Sequence, residues 1–520
     1  MISFQLPSLL QIAAAITTIL IIHTLHKYFV RPYFLLQRFK KYKDGLCIYR
    51  PIFGTMREYK TNFPKHGDAA YDIKRRIKEN PSLRFTASSL LDTVFVTIYD
   101  PNLIKQFLNK DTSVTVKYTG LTKGTMSEFG KHSLLFTEGE KWKRLRRSLS
   151  QVFHFDYMNN SLPIIRATTQ EWIVRNCRSS ASPCVVNVSK EFKMFTSTAL
   201  WRILFGENNF TEDDKAVETI GLLLGNIKTG RDIAFSVLAY IFGSNYYKLG
   251  LRSIDRQFMR EGKMINEILY SKLSQLKEKQ KLKSNGRQDG HSSESVKFKN
   301  LIDLLLEQSD GLSEVEIIAQ ISTFFLAGTE TTSEFLTISQ YLLATHPKVQ
   351  NKLREEVLTH IGKTEEVTYD HISKMEYLNA VIKEAFRFGG PSMGVIPRIV
   401  TQNFMLNEIE IKKGTVINVS STNVAYNTRL FSNPEEFRPE RWIEKVDPGT
   451  IDTSTHLPFS AGGRKCMGEQ LALIESKVIL CELVRSFKVD LKTPYKFGMA
   501  VGIVYRAEPD VNVIYTPIAE

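Results

Sequence analysis

The residue types best suited to chemistry gather in one short stretch, FSAGGRKCMG, from Phe459 to Gly468. A single cysteine, Cys466, stands there between Arg464-Lys465 and Gly468. Glycines let a backbone approach a bulky group closely and present N–H groups to a sulfur. A cysteine so placed is either a metal-ligating thiolate or an inert buried thiol, the commoner state of a free cysteine. Three further groups stand upstream. AGTETT, from Ala327 to Thr332, sets a glycine, an acid and two hydroxyls in the middle of a long helical pattern. That is poor helix filler, because Gly costs about 1 kcal/mol relative to Ala and a hydroxyl bonding back to the i−4 carbonyl bends a helix. Glu384 and Arg387 form an acid–base pair at i,i+3, by itself a common surface feature. Trp142 and Arg146, four apart in EKWKRLRR, share one helix face.

Phe459, Gly462, Arg464, Cys466 and Gly468 match F-x-x-G-x-R-x-C-x-G, a chance of about one in ten thousand for a chain of this length. Here the chain resembles the cytochrome P-450 superfamily, whose heme-binding signature this is. The resemblance implies that Cys466 is the axial thiolate of a heme iron. Such a thiolate pushes electron density to the iron and favours O–O cleavage. It implies that Arg464, Trp142, Arg146 and Arg398 meet the heme propionates, that Phe459 shields the sulfur, and that Gly462 and Gly468 admit the porphyrin. Over the opposite face it implies a local helix distortion at Ala327 and Gly328 that makes room for dioxygen, with Glu330 and Thr331 organising water and protons. Glu384, Arg387 and Arg441 are expected to form a structural ion cluster that locks a helix to the segment leading into the heme loop.

The resemblance extends from about Val94 to Tyr515 and is nearest to the microsomal branches. It implies a heme-thiolate monooxygenase that inserts one oxygen atom of O2 into a lipophilic fatty acid, sterol or xenobiotic. NADPH-cytochrome P-450 reductase is the implied electron donor, with cytochrome b5 a second partner. Two other readings share the heme: a lipid hydroperoxide isomerase or dehydratase without a redox partner, and a non-enzymatic heme binder. The Glu330–Thr331 pair argues against both, because neither needs a proton path. Ala327 stands where many ω-hydroxylases carry a heme-bonding glutamate, so the cofactor is expected to be non-covalent heme b. Gly389-Gly390 replaces bulkier residues and is read as loosening the segment above the substrate. A Pro-rich hinge is missing, with only Pro32 and Pro51 near the start. Substrate contacts are expected from residues 117–129, 207–251, 324–331 and 391–396, rich in aromatics such as Phe210, Phe235, Tyr240, Phe242, Tyr246 and Tyr247.

These groups need a large body to hold them. The chain has 520 residues, 42 % of them hydrophobic and 24 % charged, the balance of an ordinary globular protein. That excludes wholesale disorder and a multi-spanning transporter. The longest helical pattern runs from Leu312 to Thr345, with Ser313 and Glu316 as a capping box and His346-Pro347 as its stop. It is apolar on most faces, so it must cross the middle of the body. Strand alternation is confined to Val94–Tyr99, Ile411–Ser420 and the surroundings of Glu508-Pro509. The expected fold is therefore mostly α with a small β portion, a single cytochrome P-450 domain with a long central helix. Lys272 to Lys297 reads as a solvated loop after a helix.

Residues 1–26 lack Lys, Arg, Asp and Glu, and Leu9 to Leu25 is a nearly continuous apolar run, close to the length a bilayer requires. The basic residues Lys27, Arg31, Arg38, Lys40, Lys41 and Lys43 follow it and hold that end in the cytosol. No positive charge precedes the run, against a cleavable signal. Residues 1–30 are thus expected to be a membrane anchor and 31–520 the catalytic domain, single-pass in the endoplasmic reticulum membrane with its body cytosolic. The sequons at Asn159, Asn187, Asn209 and Asn418 are then chance matches. Five cysteines without CxxC spacing indicate neither a disulfide framework nor a zinc site. The net charge of +14 fits an acidic reductase surface, with Lys141, Lys143, Arg144, Arg147 and Lys465 beside the cysteine loop, better than nucleic acid, for which no motif appears.

Overall fold

A computed structural model describes the chain except residues 1–7, 119–131, 154–160, 178–181, 207–244, 286–300, 309–311, 392–394, 445–446, 449–451, 453, 495–497, 502–503 and 519–520. Helices dominate, with a small β portion. The central helix spans Glu314–Thr345. Its N-terminus is closed reciprocally: the Glu316 N–H donates to Ser313 Oγ at 3.3 Å, and the Ser313 N–H to Glu316 Oε2 at 3.1 Å. Two otherwise orphaned donors are thereby satisfied. Most of the helix is buried. It packs in one apolar cluster with Leu162–Asn176, Val188–Phe205, Glu376–Gly389 and Glu469–Ser486.

The helix Ser253–Asn285, at 33 residues, exceeds the 32 of the central helix. It absorbs the first part of the segment whose charge suggested a loop. Leu269, Leu273 and Leu276 face inward at helical spacing. Lys272 buries its stem, with its ammonium 5.6 Å from the Trp201 ring centroid.

A six-stranded sheet orders Gly45–Ile48, Phe85–Leu90, Thr93–Ile98, Val416–Val419, Val395–Val400 and Thr115–Lys117. It carries a second apolar cluster. A register shift between Val395 and Arg398 interrupts its pairing with Val416–Val419, a bulge of the kind that re-aims a side chain. A three-stranded sheet joins Phe487–Leu491, Asn512–Pro517 and Cys184–Asn187. Its middle strand sets Tyr515 against Trp172, ring centroids 6.0 Å apart. That packing brings the start of Cys184–Asn187 to the end of Leu162–Asn176, where Cys184 and Cys177 form a disulfide with Cα atoms 5.6 Å apart. The cysteine spacing gave no sign of this local bridge.

Leu9–Leu25 is fully helical and no side chain in it is buried. Helical backbone continues through Arg31–Gln37, making a 29-residue rod from Leu9 to Gln37 whose most apolar 18-residue stretch has a mean hydropathy of 1.7, long and apolar enough to cross a membrane. Burial begins at Pro32 and Leu36. Lys27 and Arg31 approach Asp92, in the turn between Phe85–Leu90 and Thr93–Ile98, at 3.8 and 4.0 Å, so the basic flank lies against the body.

Candidate active site

The cysteine loop folds around a single turn of 3-10 helix, Gly462–Arg464. The Cys466 N–H closes it by donating to the Phe459 carbonyl at 2.9 Å. Gly462 has φ +71°, and a Cβ there would lie 3.2 Å from the Leu108 carbonyl oxygen, so both conformation and space call for glycine. At Gly468 a Cβ would stand 4.0 Å from Cys466 Sγ, which places the backbone beside the sulfur. The Phe459 ring meets Phe386 at 5.1 Å, and Phe386 stacks on Phe335 at 3.9 Å. Three rings thus tie the loop through Glu376–Gly389 to the central helix. Cys466 is exposed at its surface. Desolvation by the surrounding loop pushes its thiol up, while the Gly468 backbone, Arg146 and Lys465 pull it down.

Arg464 lies over the Trp142 indole, 3.5 Å from its centroid, and donates to Glu138. Trp142 and Arg146 share the helix Gly139–Val152. Burial lowers the Arg146 pKa, and the nearby Cys466 opposes that shift. Arg398 is buried at the bulge; its Nη1 donates to Glu138 Oε1 at 3.2 Å and its Nε to Thr115 Oγ1 at 3.1 Å. Directly across the sheet from Arg398 is Lys117. Its ammonium donates to the carbonyls of Leu134 and Leu135 at 2.8 and 2.7 Å. Burial, with Arg464, Arg398 and Arg146 adding like charge, pushes Lys117 down to about 7.

In the central helix the middle of the buried run is open: Ala327 is exposed, and Phe324, Gly328 and Thr331 are half-exposed. Their spacing puts them on neighbouring turns of one side. The helix is continuous α through this stretch. The expected distortion does not interrupt it, and the opening comes from small side chains. A Cβ on Gly328 would meet Leu200 Cδ2 at 3.0 Å. Thr331 Oγ1 donates to the Ala327 carbonyl at 2.6 Å. Glu330 is buried, with Lys193 of Val188–Phe205 at 3.5 Å.

Glu384 receives Arg387 on both oxygens at 2.9 and 2.8 Å and Arg441 Nε at 3.0 Å. The Trp442 indole N–H and the Arg438 backbone N–H donate to it as well, at 2.9 and 3.0 Å. Arg441 continues to Asp447 at 2.8 Å. Two buried arginines against one glutamate leave a positive charge uncompensated; Asp447 supplies the counter-charge, and that deficit was the signal for it.

The family profile of cytochrome P450 matches residues 51–504. The chain belongs to the cytochrome P450 family. It is 31 % identical over 402 residues to "Cytochrome P450 3A13" of Mus musculus, covering 76 % of each chain. "Cytochrome P450 3A12" of Canis lupus familiaris is 30 % identical, covering 80 % of this chain and 81 % of its own. "Cytochrome P450 4A10" of Rattus norvegicus is 26 % identical, covering 76 % of each. This cytochrome P450 is thus a heme-iron monooxygenase of lipophilic compounds.

Sequence reasoning missed Glu138 in this cytochrome P450 and placed Lys117 with the substrate contacts of 117–129, whereas it stands opposite Arg398; residues 119–129 lie outside the described residues. Glu138 and Lys117 both act through partners far away in the chain, and no local pattern marks them. The basic stripe needs correcting too. Glu316 of the central helix takes Lys141 at 3.0 Å and Arg144 at 3.1 Å, Glu140 takes Lys143 at 2.7 Å, and Glu469 takes Lys465. Four of the five cations are paired, so the face is less positive than its sequence. At Gly390 a Cβ would lie 2.5 Å from the Phe386 carbonyl oxygen, so glycine permits a close turn against the helix end; residues 392–394 of the segment it was expected to loosen lie outside the described residues. Tyr246 and Tyr247 are buried and pack with Arg252 and Phe258. Phe210, Phe235, Tyr240 and Phe242 lie outside the described residues.

Proposed function

We propose that this cytochrome P450 is a membrane-anchored heme b monooxygenase, with residues 1–30 as its single-pass anchor in the endoplasmic reticulum and residues 31–520 as a cytosolic catalytic domain. Electrons come from NADPH through a flavoprotein reductase, with cytochrome b5 as a second donor. The observation that carries the heme assignment is the charge gathered at Glu138. Arg464 and Arg398 bind it, Lys117 stands opposite Arg398, and Arg146 lies close enough to act on Lys117. Three arginines and a partly charged lysine around the one carboxylate among the described residues are far from neutral, and like charges facing across strands oppose each other. Two propionates bring the group close to balance, so the donor set fits the cofactor.

Cys466 would hold the heme iron through its thiolate, and Arg464, Trp142, Arg146, Arg398 and Lys117 would hold the propionates. Phe459 keeps water from the sulfur; Gly462 and Gly468 keep the loop close to the ring. The bound heme supplies activation of dioxygen and insertion of one oxygen atom into the substrate. Ala327 and Gly328, open on their side of the central helix, would leave room there for dioxygen. Thr331, its hydroxyl already held at the Ala327 carbonyl, positions a water there, and Glu330 supplies its proton. The Glu384–Arg387–Arg441 cluster is structural: it fixes the segment that leads into the cysteine loop.

Titrating the membrane-expressed protein with fatty acids, sterols and bulky aromatics while recording heme difference spectra tests this reading. A low-to-high-spin shift with one group supports it and names the substrate class. No heme absorbance in the loaded protein contradicts it.

A further inference from the structure

Behind the open side of the central helix stands a group of charges that heme binding does not use. Glu330 and Glu334 lie one turn apart, both buried, and Lys193 approaches them at 3.5 and 3.7 Å. One ammonium thus serves two carboxylates. Both distances are too long for strong hydrogen bonds, and among the described residues no hydrogen bond reaches the buried Glu330 Oε1. Glu334 Oε2 accepts the Ala507 backbone N–H at 3.2 Å. On the same strand, Tyr505–Glu508, Arg506 donates to Glu508 at 3.0 Å, and the Glu508 side chain is 42 % exposed. Arg506 acts electrostatically on both Glu334 and Glu330, so charged groups lead from the surface at Glu508, by Arg506, Glu334 and Lys193, to Glu330, the neighbour of Thr331.

A structural ion pair needs one carboxylate per ammonium. A second buried carboxylate adds desolvation and like-charge repulsion, and among the described residues no second cation forms an ion pair with the two. The charged groups acting on Glu334 are Lys193 from Val188–Phe205, Glu330 from its own helix and Arg506 from the strand. Burial, with Glu330 adding to it and Lys193 opposing, pushes Glu334 up to about 7; burial pushes Glu330 up as well.

We propose that Lys193 and Glu334 are positioning residues that hold a proton behind Glu330 and deliver it toward Thr331, with Arg506 and Glu508 as the surface end of the route. This rests on the monooxygenase reading above, in which the second oxygen atom leaves as water and consumes protons. The Lys193 ammonium gives one proton to the Glu330 carboxylate, and the resulting amine takes one from the Glu334 carboxyl. Solvent at the Glu508 edge then reprotonates Glu334. Each step moves one proton and no electron.

The test uses the full chain loaded with heme, with Glu334→Gln, Lys193→Gln and the conservative Glu334→Asp. The first readout, which needs no substrate, is the infrared carbonyl band of a protonated carboxyl titrated across neutral pH. A component of that band titrating near neutrality is expected in the parent and absent in Glu334→Gln. The second is the ratio of hydrogen peroxide to product with whichever fatty acid, sterol or aromatic gives the largest spin shift. That ratio is expected to rise on the order of ten-fold in Glu334→Gln and Lys193→Gln, with its pH dependence near neutrality flattened and restored by Glu334→Asp. A component titrating near neutrality that persists in Glu334→Gln, or an unchanged ratio and pH profile in both variants, overturns the proposal. If Glu334→Gln does not fold, Lys193→Gln decides on the ratio and pH profile. A carbon monoxide spectrum of the reduced parent separates the two failures: without a thiolate band the monooxygenase reading falls, and with it only the proton route does.

Discussion

The Arg464 guanidinium lies 3.5 Å from the centroid of the Trp142 ring while donating to Glu138. The cysteine loop and the helix Gly139–Val152 are therefore joined by a stacked cation, two residues from the proposed iron ligand. Cation–π contact in a partly desolvated place is worth about 1–2 kcal/mol. Trp142→Ala should weaken heme retention on the order of ten-fold, and Trp142→Phe should recover most of it. Heme per protein after gel filtration measures this, and equal retention in Trp142→Ala would remove the stacking from the account.

The Glu384 cluster predicts a stability effect with a definite sign in pH. Burial raises the Glu384 pKa, but Arg387 and Arg441 outweigh it and hold the carboxyl below its ordinary value of 4.5. A depressed folded-state pKa contributes stability that is present above the unfolded value and lost as pH falls through the folded one. Glu384→Gln leaves two arginines buried against a neutral partner and should cost about 3–5 kcal/mol at neutral pH. The gap between the parent and variant melting temperatures should close as the pH is lowered below 4.5. A gap independent of pH would contradict the ionised cluster.

Thr331→Ala deletes the hydroxyl held at 2.6 Å by the Ala327 carbonyl without changing the buried side of the helix. Folding should be nearly unchanged, since the side chain is half-exposed. Peroxide should increase at the expense of product per NADPH, and Thr331→Ser should retain coupling. Unchanged coupling in Thr331→Ala removes it from the proton path.

Gly462→Ala tests the loop geometry. An alanine at φ +71° meets the left-handed penalty, about 1–2 kcal/mol, and its Cβ would press on the Leu108 carbonyl at 3.2 Å. Thermal unfolding should show a loss of that size or more. A neutral substitution would mean that the loop relaxes without strain.

What the sequence made legible is what local pattern encodes. The central helix announces itself by Ser313, Glu316 and the stop at His346-Pro347, because capping acts within one turn. The cysteine loop is contiguous, and the Glu384–Arg387 pair lies within one turn. Glu138 and Lys117 were not legible, since their roles depend on Arg398 and Arg464, hundreds of residues away. Cys177 and Cys184 meet only because a strand pairs far downstream with Asn512–Pro517. The helix beyond Lys272 was obscured by its charged outer face, which outweighs Leu273 and Leu276 in any reading by composition. The basic stripe misled in the opposite direction: Glu316, which neutralises part of it, sits on a different helix.

The most direct test of the account is the carbon monoxide difference spectrum of the reduced, heme-loaded protein beside that of Cys466→Ala. The parent should show the red-shifted Soret band of a thiolate-ligated heme, and Cys466→Ala should lack it. Coincident Soret bands in the two proteins would contradict Cys466 as the ligand, and with it the arrangement built around the loop.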